Sequence, residues 1–344
     1  MKLTEEKYNK YALVREIMET PDIIKAFNPE VAAPFVPEVK KHKGLFLTGE
    51  GSSRIFPAKR AIYASMKQGM TLPVMTDGCT QAEEYNLKDF TVFAASNSGQ
   101  TKEVVRLTTA LKKQNHPAVF GLTAYPKTKL EEIASRTNIL SCGKEEACAA
   151  TKSVIEQGLF YDSLLRLVNG QKMDGLSDLA KKTDTVLTTK IDPAITSIIS
   201  NATMIYFAGR NTGVAEELAL KTNEITRKKS AFLEGTYAVH GIEEVMDKTE
   251  VVIWIEPFPA EMEKFNECLV KGVGLNIIAV STNMHSCKNH IEPDHYSYLL
   301  PVLYVLFYYC IYSIHIYYIN ICIYIIIIIV ILLLYIYIFN IYYY

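Results

Sequence analysis

Apolar residues in this chain fall into short unbroken runs separated by longer stretches of helical spacing, and that alternation predicts the architecture. Tyr8 to Phe27 reads as an amphipathic helical lead, with Tyr11, Val14, Ile17 and Met18 on one face and Pro21 restarting the helix at Asp22. Leu45 to Thr48 is the first strong strand, and it empties into Gly49-Glu-Gly-Ser-Ser53. A helix from about Pro57 to Gly69 follows. Further strands are expected at Pro73 to Thr76, Phe90 to Ala95, Ala118 to Thr123 and, more weakly, Ile139 to Ser141, with a helix over Lys102 to Lys113. Val92, Phe93, Ala94 and Ala95 form the kind of run that is buried on both faces of a parallel sheet. Strands alternating with helices of this length predict parallel pairing and a doubly wound α/β sheet.

The pattern then repeats. Ala149 to about Leu187 is helical, with Ile155, Leu159, Leu164 and Leu167 as its stripe and a break at Asn169-Gly170. Met204 to Ala208 enters Gly209-Arg-Asn-Thr-Gly213 and a helix from Val214 to Lys228. Glu250 to Ile255 enters Glu256-Pro-Phe-Pro259 and a helix from Ala260 to Gly272, and Asn276 to Ser281 closes the unit. Leu45 to Thr123 and Ile205 to Ser281 therefore read as two copies of one α/β lobe. The expected organisation is a helical lead over residues 1–40, a first lobe over 41–185, a second over 186–298 and a low-complexity tail over 299–344.

Chemistry enters at the turn after the third strand. Ser96, Asn97, Ser98, Gly99 and Thr101 follow the buried run with no bulky side chain among them, and a helix begins at Lys102. The free N–H groups and dipole of a new helix favour an anion at such a junction. The hydroxyls of Ser96, Ser98 and Thr101 add donors without charge, giving a phosphate cradle that lacks the lysine of a nucleotide P-loop. An ordinary serine-rich helix cap is the competing reading. In the second lobe the corresponding turn is Glu256-Pro-Phe-Pro259, an anion with two prolines, so one phosphate site per chain is expected. Ser52 and Ser53 end the turn after the first strand, and both turns belong at the carboxyl edge of the sheet. Gly49-x-Gly51 is too short for a dinucleotide fingerprint, and no acidic residue sits suitably after a second strand ending at Thr76. Glu145-Glu-Ala-Cys-Ala-Ala-Thr-Lys152 opens a helix with small residues, either for close backbone approach to a ligand at Ala150 or for tight helix packing. In the second lobe Glu217, Lys221 and Glu224 share one helix face, as a solvated ladder or as a catalytic set. His240 stands in the loop Tyr237-Ala-Val-His-Gly241, followed by Glu243 and Glu244.

Composition narrows the classes. A length of 344 residues suits two lobes, and a formal net charge of -1 offers no basic excess for nucleic acid. The seven cysteines show no paired spacing and read as reduced cytoplasmic thiols, and the charged start, Met1 to Lys10, carries no secretory signal. No metal-ligand cluster is visible, and no metal or cofactor is expected. After Asp294 no Asp, Glu, Lys or Arg occurs. Ile319 to Phe339 is long enough to cross a bilayer, which takes about 20 apolar residues. It lacks the flanking lysine or arginine that sets orientation. The same composition arises when an AT-rich non-coding or frame-shifted stretch is translated, and that origin is favoured over a membrane tail.

Six segments in order carry a family resemblance: Arg15-Glu-Ile-Met-Glu-Thr-Pro21, Gly51-Ser-Ser53, Ser96-Asn-Ser-Gly-Gln-Thr101, Ala149-Ala-Thr-Lys152, Glu217-Leu-Ala-Leu-Lys-Thr-Asn-Glu-Ile-Thr226 and His240-Gly241. Through them, residues 10 to 295 resemble the SIS (sugar isomerase) domain proteins, in particular the isomerase half of glutamine–fructose-6-phosphate aminotransferase and the SIS-type glucosamine-6-phosphate deaminases. The resemblance implies two SIS lobes, a homodimer and a phosphosugar site shared across its interface. It implies that Ser52, Ser53, Ser96, Asn97, Ser98, Thr101 and the Ala150 segment hold a phosphorylated hexose or hexosamine. It further implies that Glu224 moves a proton between C1 and C2, that Lys221 polarises the open-chain sugar and that His240, reaching from the partner subunit, opens the ring. Such chemistry needs a carboxylate over the carbon acid, an acid/base pair for the ring oxygen and donors for the enediolate.

The departures also shape the expectation. The chain runs from Met1-Lys2 straight into the sugar lobe, so no amidotransferase domain with its catalytic cysteine is expected, which favours deamination over synthesis. The family's His-Gly-Pro is here His240-Gly241-Ile242, and no lysine follows Lys288 to match the family's C-terminal lysine. The expected activity is deamination of glucosamine 6-phosphate to fructose 6-phosphate and ammonia. A fructosamine-6-phosphate deglycase and a non-catalytic phosphosugar sensor are the alternatives.

Overall fold

The computed structural model describes residues 1, 3–281 and 296–298, and the chain divides into two compact units. One is Arg15–Ala180; the other joins Met1–Val14 to the chain from Lys181 onward. The helical lead is realised as short helices at Glu6–Asn9, Ala12–Met18 and Thr20–Ala26.

The first unit holds five parallel strands: β1 (Gly44–Gly49), β2 (Val74–Gly78), β3 (Phe90–Ala95), β4 (Val119–Thr123) and β5 (Arg136–Ile139), in the order β2-β1-β3-β4-β5. Alternation along β3 divides its core. Val92 and Ala94 face the helical layer with Val104, Leu107, Leu111 and Leu130. Phe93, which pairs in register with Phe120, joins Phe35, Phe160 and Tyr161 in an aromatic cluster with centroids 5.1–6.0 Å apart. Tilted and edge-on pairs of this kind add about 0.5–1.5 kcal/mol each beyond the area they bury. Both faces of β3 are therefore sealed, and the hydroxyl turn follows at its carboxyl end.

The second unit repeats the arrangement with β6 (Ile205–Gly209), β7 (Ser230–Glu234), β8 (Val251–Ile255), β9 (Asn276–Val280) and β10 (Tyr296–Tyr298), in the order β10-β9-β8-β6-β7. Read from β7 this is the same 2-1-3-4-5 order, again parallel throughout. Trp254 stacks on Phe265 at 3.6 Å between centroids in its core. The two-lobe α/β expectation is met.

Some boundaries differ. The fifth strand occupies Arg136–Ile139, not Ile139 to Ser141, because an edge strand tolerates the polar Arg136, Thr137 and Asn138 that hide it from a hydropathy reading. β7 was not expected at all, since its apolar run is only the three residues Ala231, Phe232 and Leu233 between Ser230 and Glu234. The helix expected over Ala260 to Gly272 is a chain of shorter turns, ending in a π-helix over Asn266–Val273. β2 runs to Gly78, so an acid, Asp77, does stand at its end, opposite Thr48; its carboxylate accepts from Tyr85 Oη at 2.6 Å and Gln81 Nε2 at 2.9 Å. Among the described residues no helix is long and apolar enough to cross a membrane. The tail over 299–344, with Ile319 to Phe339, lies outside them.

Candidate functional site

Within the first unit, β1 and β3 are neighbours whose crossovers leave in opposite directions, β1 toward β2 and β3 toward β4. A switch point of this kind is where open α/β sheets bind ligands, outside the carboxyl ends of the strands. The pairing of Gly49 with Ala95 sets the two following turns, Gly51–Ser53 and Ser96 to Thr101, side by side there. Ser52 and Ser53 are half-buried, with Ser53 N donating to Glu50 O at 3.3 Å.

In the second turn the hydroxyls divide their work. Ser96 is 1% exposed; its Oγ lies 2.8 Å from Thr101 Oγ1 and accepts from Thr101 N at 3.4 Å, closing the turn. Ser98 is exposed and accepts from Gln100 N at 3.3 Å, which leaves its O–H proton to donate outward. Thr101 stands at the N-cap of the Lys102–Lys113 helix without a side-chain cap bond. Its hydroxyl is directed to Ser96 instead, so the first amides of that helix are left to a ligand or water. Asn97 points inward: Nδ2 donates to Glu145 Oε2 at 2.7 Å and to Ser153 Oγ at 2.8 Å.

The segment before the Lys152–Val168 helix is bracketed by carboxylates that the sequence reading did not single out. Glu156 accepts from Ser141 N and Oγ and from Cys142 N, each at 2.7 Å. Glu16, 5% exposed, accepts from the amides of Glu146 and Ala147, and burial raises its pKa despite those donors and the nearby Lys152. Glu19 pairs with Lys152 at 2.6 Å. Glu145 itself accepts from Thr151 N at 2.7 Å. Ala150 is half-buried and Cys148 exposed on the strap these contacts hold. The clue in the sequence was an acid recurring beside small residues, but partners up to 133 positions away are not readable from spacing.

In the second unit the Val214–Thr226 helix carries Glu217, Lys221 and Glu224. Lys221 is 1% exposed, its Nζ 3.0 Å from Glu224 Oε2 and 3.5 Å from Glu217 Oε1. Glu217 is fully buried while the Glu224 side chain is 40% exposed. This is not a solvated ladder: an ammonium is held out of water between a buried acid and an acid at the surface. Such burial is weak evidence for stability, since desolvation offsets the attraction.

His240 is exposed, with Nε2 3.1 Å from Lys264 Nζ. Its turn packs through Ala238 and Val239 with Tyr206, Ala208, Trp254 and Phe265. The β6-to-β7 crossover, which contains Lys221 and Glu224, runs outward, and the β7-to-β8 crossover, which contains His240, runs back past β6. Right-handed crossovers of opposite direction lie on opposite faces of a sheet. Lys221 and Glu224 are therefore brought together, and His240 is set on the other face. At the switch point of this unit Glu256 spends its amide on Val280 O at 2.7 Å, and Arg210 donates to the Glu256 carbonyl and lies 4.2 Å from the Phe258 ring centre.

Solved structures of phosphosugar isomerases and related proteins share this two-lobe parallel architecture with the chain. It is similar to the C-terminal domain of glucosamine-fructose-6-phosphate aminotransferase from Francisella tularensis, with 16% identity and a TM-score of 0.71, covering 97% of this chain and 98% of the other. The tagatose-6-phosphate ketose/aldose isomerase of Escherichia coli matches at 15% identity and a TM-score of 0.70, covering 98% and 94%. The glucosamine-6-phosphate deaminase of Thermotoga maritima matches at 20% identity and 0.60, covering 79% and 85%. No family model and no curated relative matches the chain.

Proposed function

We propose that the protein is an isomerising deaminase that converts glucosamine 6-phosphate and water to fructose 6-phosphate and ammonia. The observation that carries this reading is the uncharged hydroxyl turn at the β1/β3 switch point, in a chain that also buries a lysine against a surface glutamate. The fold adds support, because proteins named as a phosphosugar isomerase and a hexosamine-phosphate deaminase share it.

In this reading Ser98, Ser52, Ser53 and the amides after Thr101 receive the phosphate and sugar hydroxyls. Ser96 and Asn97 hold the turn in shape, and the backbone around Ala150 faces the sugar. His240 carries the O1 proton to O5 as the C1–O5 bond breaks. Glu224 takes the C2 proton as O1 gains one, giving an enolamine, and returns its proton to C1 as the amine nitrogen gives one up, leaving an imine at C2. Lys221 stabilises the developing oxyanion. Water then adds at C2 and ammonia leaves, so the proton count closes without a cofactor. The opposite-face placement of His240 supports a homodimer in which that residue serves the partner's sugar. Cys79, Cys142, Cys148 and Cys268 are free thiols, which supports a cytoplasmic site of action.

The test is a coupled assay for ammonia. Glucosamine 6-phosphate should yield ammonia and fructose 6-phosphate in equal amounts, and Glu224→Gln should bind the sugar yet release none. Binding without ammonia release from the wild-type protein would reject the deaminase, and consumption of fructosamine 6-phosphate instead would establish the deglycase.

A further inference from the structure

Glu145 is 8% exposed, and its two oxygens receive four donors. Oε1 takes Thr151 N at 2.7 Å and Thr151 Oγ1 at 3.0 Å; Oε2 takes Asn97 Nδ2 at 2.7 Å and the Ser153 hydroxyl. A carboxylate has about four lone-pair positions, so its accepting capacity is spent. Asn97 belongs to the hydroxyl turn after β3, and Thr151 ends the small-residue strap before the Lys152–Val168 helix. The acid thus joins the two loops, and the one further bond between them in its surroundings, Asn97 Nδ2 to Ser153 Oγ at 2.8 Å, runs beside it to a hydroxyl that itself donates to Glu145.

We infer that Glu145 is a positioning residue that fixes the Ser96 to Thr101 turn and the Glu146 to Thr151 strap as one binding surface for the sugar phosphate. The inference rests on the phosphosugar reading above. A carboxylate suits the place because it accepts from all four groups at once, two of which, Asn97 Nδ2 and the Thr151 amide, can only donate. Glutamine would turn an amide NH2 toward either Asn97 Nδ2 or the Thr151 amide, neither of which can accept. It can satisfy one side at a time, so the two loops come loose from each other. The ends of the strap do not depend on Glu145: Glu156 holds Ser141 and Cys142, Glu16 holds Glu146 and Ala147, and Glu19 holds Lys152. Replacement at Glu145 therefore frees the middle of the strap while its ends stay anchored.

The experiment compares full-length wild type, Glu145→Gln and Thr151→Val by steady-state kinetics on glucosamine 6-phosphate and by ligand-free hydrogen exchange. For Glu145→Gln, KM should rise at least about tenfold, equivalent to about 1.4 kcal/mol, with kcat within about twofold. Amide exchange should quicken in residues 96–101 and 148–151 but not at Glu146 and Ala147, which Glu16 holds, nor in the Lys152–Val168 helix. Thr151→Val, which removes a single hydroxyl bond, should shift the same quantities in the same direction and less. An unchanged KM, a loss of kcat at constant KM, or faster exchange throughout the lobe overturns the inference. Should Glu145→Gln fail to fold, the Thr151→Val result decides alone. If wild type neither binds nor turns over the sugar phosphate, the functional reading falls, and the exchange data still decide whether Glu145 ties the loops.

Discussion

Replacing Gly99 by alanine perturbs the proposed phosphate turn at a position where the structure sets the magnitude. Gly99 has φ +63°, and a Cβ built there would lie 2.4 Å from Thr128 Cβ and Oγ1. Left-handed backbone costs an alanine about 1–2 kcal/mol. The overlap adds about 1–3 kcal/mol, as other insertions into packed sites do. Thr128 is poorly placed to yield, because its Oγ1 caps the Lys129–Ile133 helix by accepting Glu131 N at 3.3 Å, and Gly99 O accepts Leu130 N at 3.1 Å. Gly170 supplies the control: its φ is +73° with nothing within 4 Å of an added Cβ, so Gly170→Ala bears the backbone cost alone. Gly99→Ala should therefore destabilise the first lobe by about 2–5 kcal/mol and Gly170→Ala by about 1–2 kcal/mol. Urea unfolding followed by circular dichroism is the assay, since the single tryptophan, Trp254, lies in the other unit. Equal destabilisation by the two variants would refute the close approach of the turn to Thr128, and with it the geometry assigned to Ser98.

Other expectations follow from neighbouring contacts. Burial raises the pKa of Glu16, so the folded state holds its proton to higher pH than the unfolded chain does. Stability should then fall as pH rises from the ordinary glutamate range through the raised value, and Glu16→Gln should flatten that slope in thermal unfolding at stepped pH. A slope in the variant as steep as in wild type would contradict the assignment. Cys148 is exposed on the strap while Cys79 is buried with its thiol pushed up to about 12 and Cys142 is buried with its thiol pushed up as well. Peptide-resolved alkylation near neutral pH should mark Cys148 and spare the other two, and fructose 6-phosphate should protect it; labelling indifferent to the sugar would place the ligand elsewhere. Ser98→Ala should weaken fructose 6-phosphate by about 1.5–3 kcal/mol, the usual loss of a hydrogen bond to a charged group. Unchanged affinity by calorimetry would remove Ser98 from the site.

What the chain discloses by itself depends on how local the cause is. Strands sealed on both faces, such as Phe90–Ala95 and Val251–Ile255, are continuous apolar runs, and the turn after the first of them is marked by small residues. Edge strands are not marked in this way: Arg136–Ile139 carries the polar residues that an unpaired, partly wet edge allows, and Ser230–Glu234 has an apolar run of only three residues. The hydroxyl turn could be read as a unit because its contacts span six residues, Ser96 to Thr101. Glu145 and Glu16 could not, since their partners at Asn97 and Ala147 lie 48 and 131 positions away. Spacing also leaves burial undecided. Glu217, Lys221 and Glu224 would be spaced alike in a surface ladder, and only packing reveals that Lys221 is withdrawn from water.

The account stands on Glu224 passing a proton between adjacent carbons of a bound phosphosugar. Fructose 6-phosphate incubated with the protein in deuterium oxide, followed by proton NMR at C1, measures that step without involving the amine. Wild type should incorporate deuterium at C1, and Glu224→Gln should slow incorporation by at least about a hundredfold, the scale of a lost general base. Bound sugar that never exchanges with wild type, or exchange equally fast in the variant, would contradict it.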